Sequence, residues 1–260
     1  VITDQEVCAL RKLADLPQEP AVAKPAVITA PALQLSSLES KADEDTLVCL
    51  DFGTAFSKAA ATSDEDNLIE IGLGKIAGES AALPFPVSST LYIANDRIWF
   101  GPQAIEKNQT DNDPNHPCFD SPKQEMSQGD LAGLKTQLVD KSINPTSEQF
   151  TKGDLIQLYL AYLTDLTNRS LKEQGRSGLA PRRFARPCWS SDRAKMANKA
   201  FREMLAKGQI IGDTLENSWA AGVPVSLARK ILDQASNHGH YPDHLIKHDV
   251  MEATAAASGA

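Results

Sequence analysis

The residues Leu47-Val-Cys-Leu-Asp-Phe-Gly-Thr-Ala-Phe-Ser-Lys58 give the clearest indication of how this chain folds. A short apolar run ends in Asp51, the turn Asp51-Phe-Gly-Thr54 follows, and Ala55 to Ala61 can return as a second strand. A carboxylate at the tip of a strand can organise Mg²⁺, usually through water. Because Gly53 carries no side chain, the backbone here can approach a phosphate closely.

The same turn offers further groups that bind phosphate. Its backbone amides can surround a phosphate, the hydroxyls of Thr54 and Ser57 can add hydrogen bonds, and Lys58 can supply a positive charge. The competing interpretation is an ordinary hairpin in which Asp51-Phe-Gly-Thr54 is only a turn, because such short motifs often occur by chance. The pattern alone leaves both interpretations open.

Outside this stretch, strand and helix signals are mixed along the chain. Val87 to Ala94 and Arg97 to Phe100 flank Asn95-Asp96, which predicts a hairpin. Thr151 is predicted to cap a long helix that ends near Gln174. The remaining predicted elements are strands at 67–73, 183–188 and 245–250, and helices at 102–107, 131–138, 191–207, 224–237 and 252–257. This mixture indicates an α/β fold.

Composition limits the partners and the compartment. The formal net charge is −8, and no basic block is present to neutralise a nucleic-acid backbone. An acidic chain is also repelled by an anionic membrane surface, and no apolar run reaches the roughly 18 residues of a membrane span. The four cysteines are far apart and form no CxxC pair, which favours reduced thiols and a cytoplasmic location.

Residues 1–45 differ in composition from the rest. They contain no aromatic residue and no glycine, but four prolines. Such a stretch buries too little apolar area to offset the entropy of ordering it, so the sequence predicts a disordered tail or linker.

Several segments resemble a known family in the same order along the chain. The stretch around Asp51 resembles the first phosphate loop, D-[LN]-G-[ST], of the ATP-binding domains of the Hsp70, actin and sugar-kinase superfamily. The long helix opened by Phe150-Thr-Lys-Gly-Asp154 parallels an Hsp70 helix. Four other segments are similar to Hsp70 segments: Pro86-Val-Ser-Ser-Thr-Leu-Tyr-Ile93 with Ile98-Trp-Phe-Gly-Pro-Gln-Ala104, Phe119-Asp-Ser-Pro-Lys123, Arg186-Pro-Cys-Trp-Ser-Ser-Asp-Arg193 and Met251-Glu-Ala-Thr-Ala-Ala-Ala-Ser-Gly259.

This resemblance covers residues 46–260 and implies a fold. The expected structure is an actin-like ATPase lobe of the ribonuclease H-like type, in which helices flank a mixed five-stranded sheet. A small subdomain would be inserted at about residues 86–149, and the second lobe would be incomplete.

The resemblance also implies the roles of individual residues. Asp51 and Glu252 would hold Mg²⁺, Gly53 and Thr54 would contact the phosphates of ATP, and Lys123 would steady the transferring phosphate. The whole protein would couple ATP hydrolysis to chaperone action, with client peptides and co-chaperones as partners.

Departures from the family pattern leave alternatives open. Ala55 replaces the second threonine of the loop, Ala253 replaces a proline, and no second glycine-rich phosphate loop is found. We therefore expect the chain alone to bind Mg-ATP weakly or not at all. A bacterial actin-like filament ATPase and a non-catalytic scaffold with the same fold are the alternatives.

Four histidines, at positions 238, 240, 244 and 248, form a separate cluster. Pro242 interrupts the helix that would align them, so a polar surface loop is favoured over a metal site.

Overall fold

The main sheet defines the architecture of the chain. The computed structural model describes residues 31–63, 67–127, 130–216, 218–247 and 250–251. The strands of this sheet are β1 (Thr46–Asp51), β2 (Phe56–Ser63), β3 (Leu68–Ile71), β4 (Val87–Ser88), β8 (Arg182–Arg186) and β10 (Val250–Met251). Five of them follow the order β10-β8-β1-β2-β3, and β4 pairs with β2. The predicted mixed sheet is confirmed, with β4 as an additional short strand.

The directions of the strands bring three strand ends together. β1 is antiparallel to β2 and parallel to β8, and β8 is parallel to β10. The carboxyl ends of β1, β8 and β10 therefore lie at one edge of the sheet, where Asp51 is the last residue of β1. In open α/β sheets, ligands bind outside such carboxyl ends.

One face of the main sheet packs against two long helices, α6 (Lys152–Glu173) and α7 (Ser191–Leu215). Phe184 of β8 contacts Phe201 of α7 edge-on, with ring centroids 6.1 Å apart. α6 begins at Thr151 as predicted, and Thr151 and Asp154 form a reciprocal capping box. The core side chains of this face are Val48, Leu50, Ala61, Ile69, Ile71 and Phe184, all buried.

The opposite face of the main sheet is not covered by the described residues. Successive side chains of a strand point to opposite faces of the sheet, so the residues of this face alternate with the buried ones. Its side chains are exposed or half-buried, and we call it the uncovered face: Cys49, Asp51, Lys58, Ala60, Leu68, Glu70, Arg183 and Ala185.

A second sheet of four strands packs beside the first. Its order is β7-β5-β6-β9, from β5 (Thr90–Ala94), β6 (Arg97–Phe100), β7 (Phe119–Asp120) and β9 (Val223–Pro224). Asn95 and Asp96 both have positive φ and form the predicted hairpin turn. Three strands lie within the segment predicted as an inserted subdomain, whereas β9 comes from far along the chain.

The remaining described elements are short or peripheral. They are the helices α1 (Ser36–Glu39), α2 (Leu73–Ala77), α3 (Pro102–Asp111), α4 (Pro122–Ser127), α5 (Leu131–Leu134) and α8 (Val225–His238), and the 3₁₀ turns Trp219–Ala221 and Asp243–Leu245.

Several stretches differ from the sequence prediction, and three of the differences have a tertiary cause. α7 runs to Leu215 rather than 207, because its second half is buried against α6. A strand was expected at 245–250; among the described residues there, a 3₁₀ turn is followed by an isolated bridge from Ile246 to Arg182, and β10 begins at Val250. Residues 31–45 belong to the predicted tail, yet Leu33 packs against the core and Ser37 is fully buried. Local composition does not reveal these tertiary contacts.

Candidate functional site

Asp51 and Lys123 lie together at the edge where the parallel strands end. The Nζ atom of Lys123 is 3.7 Å from Oδ1 of Asp51. Lys123 is almost completely buried at 3% exposure, whereas the side chain of Asp51 is 49% exposed. Oδ1 is the buried part of the Asp51 side chain, and it accepts no hydrogen bond from the described residues. The structure thus brings together two residues that the sequence assigned to one site.

Contacts of the short helix α4 hold Lys123 in this position. The indole Nε1 of Trp189, just after β8, donates to the carbonyl oxygen of Met126 at 2.9 Å. Lys152 at the start of α6 pairs with Glu125 at 2.9 Å. The Trp189 contact holds α4 against the main sheet, and the Lys152 contact holds it against α6.

The turn after Asp51 is tight, and Gly53 is required for it. A Cβ atom at Gly53 would lie 1.8 Å from the carbonyl oxygen of Phe56. The glycine is therefore explained by the turn itself, and its approach to a phosphate stays a prediction. Thr54 is exposed, so its hydroxyl is accessible to a ligand.

Ser57 is not accessible to a phosphate, because its side chain is buried. It is fully buried, and its Oγ lies 3.0 Å from Oγ of Ser89 and 3.3 Å from the hydroxyl of Tyr159. Burial raises the pKa of Tyr159 well above its usual range, so this hydroxyl stays protonated. Contact of Ser57 with phosphate stays a prediction, and it would require the side chain to leave this cluster.

Ser89 connects the two halves of the site, a role that the sequence analysis missed. Its Oγ donates to the carbonyl oxygen of Gly53 at 3.0 Å, and its backbone N–H donates to Ala55 at 2.8 Å. Its carbonyl oxygen accepts from the N–H of Ser121, two residues before Lys123, at 3.2 Å. The signal was the polar run Ser88-Ser89-Thr90 inside an apolar strand, which is unusual for a buried segment.

Of the other predicted site residues, one lies beside Asp51 on the neighbouring strand and one lies outside the described residues. Lys58 is exposed and faces Asp51 across the β1–β2 pair, on the uncovered face. Glu252 lies outside the described residues. The strand that precedes it, β10, runs parallel to β8 and ends at the same edge as Asp51.

A magnesium ion fits the described residues through Asp51. Across the described ranges, no group of three or more His, Cys, Asp or Glu side chains is arranged to hold a metal ion. Mg²⁺ keeps several waters and is commonly held by one or two carboxylates together with substrate phosphates. A single carboxylate is compatible with that coordination through the exposed part of its side chain, because Oδ1 is buried against Lys123.

Two histidines of the separate cluster have backbone partners. His238 Nδ1 lies 3.0 Å from the carbonyl oxygen of His240, and His244 Nε2 lies 3.1 Å from that of Ser40. His248 lies outside the described residues.

Comparison with known proteins gives no family assignment. The chain matches no protein-family model, and no curated protein matches its sequence. Among the described helices, none has the length and apolar character needed to cross a membrane.

Proposed function

We propose that this chain forms one wall of a Mg²⁺–nucleotide site, with the phosphates bound at the carboxyl end of β1. The observation that carries the proposal is the 3.7 Å approach of the buried Lys123 ammonium to the Asp51 carboxylate. Burying a lysine is costly, and such a charge is commonly kept for a partner of opposite charge.

The chemistry of this pair suits a Mg²⁺-bound polyphosphate. Asp51 would hold the ion through water, and the ion would neutralise charge on the phosphate oxygens. Lys123 would supply a fixed positive charge to the outermost phosphate. The exposed turn at Gly53 and Thr54 would offer backbone amides and a hydroxyl to the same group.

The wider assignment rests on the sequence resemblance. In a complete protein, the lobe would bind and hydrolyse ATP as Hsp70-like chaperones do, and Glu252 would add a second carboxylate near the metal. Support comes from the α/β fold with its mixed sheet and from the position of β10, whose end shares an edge with Asp51.

Chemical-shift titration of the ¹⁵N-labelled chain with Mg-ATP tests the proposal, because it detects the weak binding expected here. We expect the amide signals of Gly53 and Thr54 to shift in a saturable way and Asp51→Asn to abolish the shift. Asp140→Asn, an exposed carboxylate outside the site, is the matched control. Equal shifts in the chain with Asp51→Asn and in the unmodified chain would refute the proposal.

A further inference from the structure

The uncovered face of the main sheet carries an ordered row of side chains. The strand register aligns Arg183 with Cys49, Cys49 with Ala60, and Ala60 with Glu70. The row therefore has a positive charge at one end, two small side chains in the middle and a negative charge at the other end. In the next row, Asp51 lies opposite Lys58.

We propose that this face is the interface of a two-fold symmetric dimer of this chain. A two-fold axis parallel to the strands, between β1 and β2, exchanges the two ends of each row. It sets Arg183 against Glu70 of the partner subunit, and the symmetric contact forms at the same time. The small side chains Cys49 and Ala60 then face each other at the centre and allow close approach.

The second row supports the same axis. The rotation that pairs Arg183 with Glu70 of the partner subunit also sets Lys58 against Asp51 of the partner subunit. Four complementary contacts thus arise from one symmetry operation, and the two between Arg183 and Glu70 carry the proposal, because Asp51 also lies beside Lys58 and 3.7 Å from Lys123 within its own chain. Because the dimer would cover Asp51, dimer formation and nucleotide binding at this residue would compete, and each has its own test.

The apolar character of the face also favours a partner. Leu68 is 70% exposed, and Phe85 beside it is 42% exposed. These two side chains border a depression of about 440 Å³ that extends across the face. Sheets with parallel strands are normally covered on both faces, and two sheets pack about 10 Å apart.

The two charges of the first row are too far apart to compensate each other within one subunit. Arg183 and Glu70 are separated by three strand spacings, or about 14 Å. This distance exceeds the Debye length at physiological salt. Reversing either charge should therefore act on association rather than on folding.

Sedimentation velocity over a concentration series tests the dimer with charge reversals. We expect the unmodified chain to associate to two copies, and Glu70→Arg or Arg183→Glu to raise the dissociation constant about ten-fold or more. The double reversal should restore it to within about three-fold of the original. Lys135→Glu, on a half-exposed side chain away from this face, should have no effect.

Cross-linking through Cys49 provides a second measurement. In a chain with Cys8→Ser, Cys118→Ser and Cys188→Ser, a short bismaleimide should join two copies through Cys49, and Glu70→Arg should suppress this product. A chain that stays monomeric at all concentrations, or a double reversal no better than the single ones, overturns the proposal. If residues 1–30 or 252–260 cover the face instead, the chain will stay monomeric at all concentrations.

Discussion

Ser89 connects the turn after Asp51 to the segment that carries Lys123. It donates to the carbonyl oxygens of Gly53 and Ala55 and accepts from the backbone N–H of Ser121. The hydroxyl of Tyr159 donates a hydrogen bond to Oγ of Ser89 at 3.2 Å. The separation of Asp51 and Lys123 is therefore fixed by a buried polar cluster rather than by the two side chains alone.

Removing the hydroxyl of Tyr159 should weaken this cluster. Tyr159→Phe leaves the carbonyl oxygen of Ser88 and two serine hydroxyls without that partner. We expect the free energy of unfolding to fall by about 1–2 kcal/mol in urea denaturation. Tyr162→Phe, on the same helix but outside the cluster, is the control, and an equal loss there would contradict the assignment.

A side chain at position 53 should not be tolerated. Gly53→Ala places Cβ 1.8 Å from the carbonyl oxygen of Phe56, so the turn must open. We expect a loss of about 3 kcal/mol in the free energy of unfolding. Gly72→Ala meets nothing closer than 3.4 Å and should cost less than about 1 kcal/mol by the same measurement. Similar values for the two variants would show that the turn is more adaptable than described.

Lys123→Met should abolish Mg-ATP binding with little effect on the stability of the fold. Methionine fills a similar volume and removes a buried charge, and the Asp51 carboxylate left behind stays partly hydrated, because its side chain is 49% exposed although Oδ1 is buried. We expect the free energy of unfolding to change by about 1 kcal/mol or less. The Mg-ATP shift of the Gly53 amide should be lost in the same variant, whereas Lys75→Met, an exposed control, should retain it. A large loss of stability would assign Lys123 to the core instead.

Stability should depend on pH through Asp165 of α6. Burial raises the pKa of this carboxyl to about 7, an effect that Arg169 at 3.7 Å only partly opposes. The folded chain then holds a proton that the unfolded chain releases, so stability is full below about pH 4 and falls as the pH rises to about 7. The pKa of Asp213 is raised in the same direction.

Urea denaturation between pH 5 and 8 measures this dependence. Each pKa unit corresponds to about 1.4 kcal/mol, so Asp165 contributes a loss on the order of 4 kcal/mol across its range, of which about 3 kcal/mol falls between pH 5 and 7. Asp165→Asn should flatten the curve. An unchanged slope in that variant would assign the dependence to other groups.

The sequence predicted the elements better than the contacts between them. The apolar run before Asp51, the Asn95-Asp96 turn and the Thr151 cap are local signals, and each was confirmed. The resemblance assigned Lys123 and Asp51 to one site, but no local signal predicts their contact, because it depends on the tertiary docking of α4 by Trp189. The joining of β9 to the second sheet has no local signal at all.

Paramagnetic relaxation with Mn²⁺ in place of Mg²⁺ tests the proposed site most directly. With a small amount of Mn-ATP, we predict selective broadening of the amide signals of residues 51–54 and 121–123, and its loss in Asp51→Asn. Broadening centred on another part of the chain, or the same broadening in Asp51→Asn, would contradict a metal–nucleotide site at the end of β1.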